Sequence, residues 1–140
     1  MNTAAENHIP KLIVLLPESK AGDLELARYI AHYAHRRVDE VLYLVALENP
    51  HSSLQVIRSM VTMKAMTSDK RLVVSYQLVL KTDLAGTVKK VGATHDPVVI
   101  PQTSTDNSGT FKLNLVRISD GYRFVNALAA FSSPGNVVHR

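Results

Sequence analysis

Cysteine and tryptophan are both missing from this 140-residue chain, and aromatic side chains make up only 6% of it. Without cysteine there are no disulfides, no thiolate metal ligands and no thiol nucleophile, and a reducing, cytoplasmic setting is expected. Long hydrophobic runs are absent too. The apolar run Leu12 to Pro17 is far short of the ~20 residues a membrane span requires. Met1 to His8 carry Glu6 and no basic residue before Lys11, so the positive start of a secretory leader is not found there. Nor is there a G-x-S-x-G nucleophile elbow.

Acidic residues are the scarcer sign: 12 Asp and Glu against 16 Lys and Arg, a net charge of +4. An excess of this kind suits an anionic partner. The cations are dispersed in pairs, however: Arg36-Arg37, Lys70-Arg71 and Lys89-Lys90. Nucleic-acid binders gather cations on one face and interleave aromatics for base stacking. Solvated helix ends account for these pairs, and no specific nucleic acid is expected.

What is present is an ordinary globular balance, with 46% hydrophobic and 20% charged residues, enough for one core. The expected organisation is a tail over 1–8 and a single domain over 9–140. Strand-like and helix-like runs alternate along it. Lys11 to Leu16, Val41 to Leu47, Leu72 to Leu80 and Val98 to Ile100 are rich in apolar residues, the composition of strands covered on both faces. Between them the period lengthens. Ala27, Ile30, Ala31, Ala34 and Val38 recur at helical spacing behind an Asp23 cap. Leu54, Ile57, Val61 and Ala65 form a second stripe, broadened by Met60 and Met63, with Ser52 or Ser53 as its cap. Leu84, Val88 and Val91 form a third, stopped by Gly92. Val125, Leu128 and Phe131 form a fourth behind Ser119-Asp120, stopped by Pro134-Gly135. Residues 102–109 make a polar, turn-rich loop, and 111–118 fit a strand or a helix start equally. Asn136 to Val138 read as a short final strand. The pattern predicts an α/β fold, an open five-stranded parallel sheet with helices on both faces.

Few side chains announce chemistry. His32 and His35 share a helix face, but Arg28 and Arg36 lie beside them, an arrangement unfavourable to a metal. His95-Asp96 are adjacent, and neighbouring residues on a strand point to opposite faces, so a helix-to-strand turn explains them better than a catalytic pair. Met60, Met63 and Met66 suit a core or a subunit contact better than an adaptable ligand surface.

The order of elements resembles the universal stress protein family. Four passages carry the likeness: Lys11 to Ser19, Leu24 to Ala34, His95 to Pro101, and Arg123 to Val138. The resemblance implies a parallel sheet closed by a short last strand that pairs across a homodimer, here Val137 and Val138. It also implies, in ATP-binding members, two glycines three residues apart after the fourth strand and a Gly-Ser or Gly-Thr about ten residues on. Such glycines let backbone amides reach phosphates. This chain has Pro101 and Ser104 in the first two places, and neither Gly109-Thr110 nor Gly121 has the later spacing. Pro101 has no amide hydrogen. Of the turn after the first strand only Ser19 remains. The expectation is therefore a dimeric regulatory or stress-response binding protein, with a possible regulatory protein partner and no cofactor. The alternative is an ATP- or AMP-binding member with a degenerate site of Leu16, Ser19, Gln102, Ser108, Gly109 and Thr110. A small enzyme on a flavodoxin-like sheet ranks third, because no nucleophile–base set supports it.

Overall fold

The computed structural model describes residues 10–66, 71–102 and 112–132. Five strands form one sheet: β1 Lys11–Pro17, β2 Glu40–Leu47, β3 Val73–Leu80, β4 Val98–Gln102 and β5 Lys112–Val116. Among these residues four α-helices accompany them: α1 Leu24–Ala34, α2 Ser53–Met66, α3 Leu84–Val91 and α4 Tyr122–Ser132. The strand order is β3-β2-β1-β4-β5.

β1 lies at the centre because it is apolar on both sides. Leu12, Ile13, Val14, Leu15 and Leu16 are all fully buried, each side chain stabilising the fold by about 1.5–3 kcal/mol relative to exposure. Leu12, Val14 and Leu16 face α1 and α2, packing with Leu26, Ile30, Val56 and Met60. Ile13 and Leu15 face α3 and α4, packing with Leu84, Val88, Phe124 and Leu128. This division follows from crossover handedness. β1 to β2 to β3 steps one way across the sheet, so right-handed connections put α1 and α2 on one face. The chain then jumps back past β1 to β4, which puts α3 on the other.

The first four strands are parallel and β5 is antiparallel to β4, with Val98 opposite Val116 and Gln102 opposite Lys112. The expected all-parallel sheet is thus corrected at its fifth strand. Residues 103–111 are too few for the crossover that a parallel neighbour would need, and 112–116 alternates as a strand does. Leu113 and Leu115 pack against the α1–α2 core, while Val116 joins the opposite one. β4 thus lies between β1 and β5. Val137 and Val138 themselves lie outside the described residues.

Two helices turn differently from their expected stripes. In α2 the buried residues are Val56, Met60 and Met63, whereas Leu54, Ile57 and Val61 are 61%, 37% and 52% exposed. α2 is apolar on two sides, and its side with the flexible thioethers meets the sheet. In α4, Phe124 and Leu128 point inward and Val125 outward. The Asp23 cap is as expected: its Oδ1 accepts from the Leu26 amide at 3.1 Å. The turn before α2 is capped instead by Asn49, whose Oδ1 accepts from His51 N at 2.9 Å. Among the described residues no helix is long and apolar enough to cross a membrane.

Candidate functional site

In an open α/β sheet the crevice for a ligand forms beyond the carboxyl ends of the strands, where the strand order reverses. Here that point is between β1 and β4, at Pro17 and Gln102. β1 pairs with β2 from Lys11 to Pro17, but with β4 only at Ile13–Val98 and Val14–Val99. Pro101, with no amide hydrogen to donate, sits near the end of β4.

From Pro17 the chain enters a tight helical turn, Glu18–Lys20, and then α1. Ser19 and Lys20 on this turn, Asp23 at the α1 cap, Ser52 just before α2, and Gln55 and Ser59 on α2 line a cavity of about 560 Å³. Gly22 allows this close approach, since a Cβ there would lie 3.3 Å from the Ser59 Cβ. Glu18 also borders the cavity, and its Oε1 accepts from the Glu48 amide at 3.0 Å. Glu48 Oε1 in turn meets Lys81 Nζ at 3.2 Å. A chain of polar contacts thus ties together the carboxyl ends of β1, β2 and β3. Hydroxyls, an amide, one ammonium group and two carboxylates suit a small polar molecule. The carboxylates oppose a polyphosphate.

The segments that follow β4 run elsewhere. After β4 the chain returns through β5 to the amino edge of the sheet. There Ser119 N donates to Thr94 O at 2.9 Å and Arg117 Nε to His95 O at 3.2 Å. α4 starts at that edge and rises, so that its last residue, Ser132, lines a second cavity with Glu48 and Lys81 at the carboxyl edge. The positive end of the α4 dipole therefore points away from the crevice.

Of the residues expected at a nucleotide site, Ser19 lines the cavity. Leu16 is fully buried in the core beneath α1 and α2. Gln102 is the last residue of β4, opposite Lys112. Ser108, Gly109 and Thr110 lie outside the described residues. The members that sequence reasoning missed, Gln55 and Ser59, are ordinary polar helix residues that only the packing of α2 brings to Ser19. Among the described residues no group of three or more His, Asp or Glu could hold a metal ion. Asp96 is buried, its Oδ2 accepting from Ala93 N at 2.8 Å within the α3–β4 turn. Burial also pushes the Tyr43 phenol upward, beyond its usual range.

No protein-family model, curated protein or solved structure matches this chain.

Proposed function

We propose that the chain is a universal-stress-protein-like domain that works as a dimeric regulatory binding protein and does not use ATP. That ATP is not used rests above all on the reversal after β4. A phosphate cradle of the family's kind needs amide donors directly after the fourth strand and a helix N-terminus beside them. Here Pro101 occupies the first position, β4 leads into an antiparallel partner, and α4 begins at the opposite edge. Glu18 and Asp23 place carboxylates beside Ser19.

Assembly is favoured by the other margin of the sheet. β3 is an edge strand of 8 residues, VVSYQLVL, containing no charge, proline or glycine. Edge strands that stay unpaired are usually protected by such residues. Beside it α2 offers Leu54, Ile57 and Val61. Gln55 and Ser59 face α1 across the cavity, and Ile57 and Val61 stand two residues further on, about 200° around the helix. The exposed ridge therefore looks away from α1, toward the β3 margin. A two-fold axis there would join β3 to its copy antiparallel and bring the ridges together.

A second reading, a nucleotide-binding domain with a degenerate phosphate site, is favoured by Ser19 and Lys20 lining a cavity of about 560 Å³. Calorimetry with magnesium-ATP at physiological ionic strength separates the two. The first reading expects no saturable heat. Micromolar binding abolished by Ser19→Ala and Lys20→Gln would establish the second.

A further inference from the structure

The amino edge of the sheet, opposite the crevice, carries a separate cavity of about 320 Å³. Four segments meet around it. β1 brings Lys11, the α1–β2 turn brings Arg37, the α3–β4 turn brings His95 and Asp96, and the β5–α4 turn brings Arg117. Three permanent cations thus line it against one carboxylate, that of Asp96, which also accepts from the Ala93 amide.

Lys11 Nζ donates to Val91 O at 3.1 Å, Arg37 Nη1 to Tyr33 O at 2.7 Å and Arg117 Nε to His95 O at 3.2 Å. Each is held by a backbone carbonyl. Carbonyl bonds fix position, and those at helix C-termini offset the charge only in part. Each cation also retains N–H groups beyond the one it uses. Two of the anchors, Tyr33 and Val91, belong to the last turns of α1 and α3, so helix C-terminal capping accounts for where Lys11 and Arg37 sit. It does not account for Arg117 joining them. The Arg37 guanidinium also sits over the Tyr33 ring, its Cζ 4.5 Å from the centroid, which limits the freedom it would lose on binding an anion.

The geometry points to a phosphoryl-binding site at this edge, in which Lys11, Arg37 and Arg117 hold one phosphate group by charge-assisted hydrogen bonds. Guanidinium forks match phosphate oxygens in pairs, and the ammonium adds a point charge. The site is distinct from the Ser19 cavity and independent of whether the chain binds ATP or dimerises.

Inorganic phosphate titrated into the ¹⁵N-labelled full chain, against chloride at matched ionic strength, is the direct test. Saturating amide shifts grouped at Lys11, Arg37, His95 and Arg117 are expected. Arg37→Gln should weaken binding at least about tenfold, the loss of one charge-assisted hydrogen bond. Arg28→Gln, an exposed cation elsewhere on α1, should leave it unchanged. Arg117→Gln provides the same test should loss of the Tyr33 stacking unfold the Arg37 variant. O-phosphoserine distinguishes the sources: binding more than about tenfold tighter than inorganic phosphate assigns an ester, and equal or weaker binding assigns the free ion. Shifts that never saturate, or equal weakening by Arg28→Gln, overturn the proposal.

Discussion

Gly92 stands directly against the fully buried Ile13: a Cβ at position 92 would lie 2.6 Å from Ile13 Cδ1 and 3.3 Å from the Val88 carbonyl oxygen. Its backbone is extended, with φ −109° and ψ 150°, a conformation open to any residue. The need for glycine here is spatial. Gly92→Ala should destabilise the protein by about 1–3 kcal/mol through overpacking. Ile13→Val removes the clashing methyl group, so the double variant should lose less than the sum of the two single losses in chemical denaturation. Strict additivity would mean that the contact is not the cause.

Tyr43 gives the protein an alkaline limit. Its side chain is 3% exposed, and burial raises its pKa above the ordinary value of 10.0. Folded protein keeps this proton while unfolded chain releases it, so the unfolded state binds fewer protons above pH 10. Stability from the neutral phenol is complete below that pH and falls as pH rises through it, by up to about 1.4 kcal/mol per unit. Tyr43→Phe should flatten this part of the stability–pH curve. No hydrogen bond of its hydroxyl is found among the described residues, so the variant should keep its stability at pH 7.

Asp23 is the simpler case of a local signal with a local consequence. Its bond to the Leu26 amide satisfies a donor that α1 cannot satisfy itself. Asp23→Ala should cost about 0.5–2 kcal/mol, and Asp23→Ser much less. Thermal unfolding of the two variants checks the difference.

How much was legible depended on how local the cause was. β1 was plain because apolar residues on both faces admit few other structures. The Asp23 cap acts over three residues and was equally readable. β5 was not, because KLNLV is short and alternates too weakly to separate a strand from a helix start. α2 shows the limit of periodicity. Leu54, Ile57 and Val61 repeat as regularly as Val56, Met60 and Met63, and only the position of the sheet decides which set is buried. The candidate site suffered similarly. Ser19 was found from the turn after β1, whereas Gln55 and Ser59 reach it through helix packing that no motif encodes. Lys11, Arg37 and Arg117 come from segments far apart in sequence.

The exposed side of α2 and the uncharged edge of β3 yield the last prediction, a homodimer built on that flank. Val73 is 63% exposed, and a strand without charges offers free ladder groups to a copy of itself. Antiparallel pairing about a two-fold axis satisfies those groups on both chains at once. It also buries Leu54, Ile57 and Val61, each with about 1.5–3 kcal/mol available on full burial. Sedimentation velocity across a dilution series should show a dimer dissociating to monomer. Gln77, exposed within β3 and paired in register with Leu44 of β2, can take a charge without touching the core. Gln77→Lys puts like charges on the two facing edges and should shift the equilibrium toward monomer, as should Val61→Glu on the ridge. Both variants should keep wild-type circular dichroism, because neither side chain is buried in the monomer. A dimer that persists in both would place the contact away from this flank, and a wild-type monomer at every concentration would remove the dimer altogether.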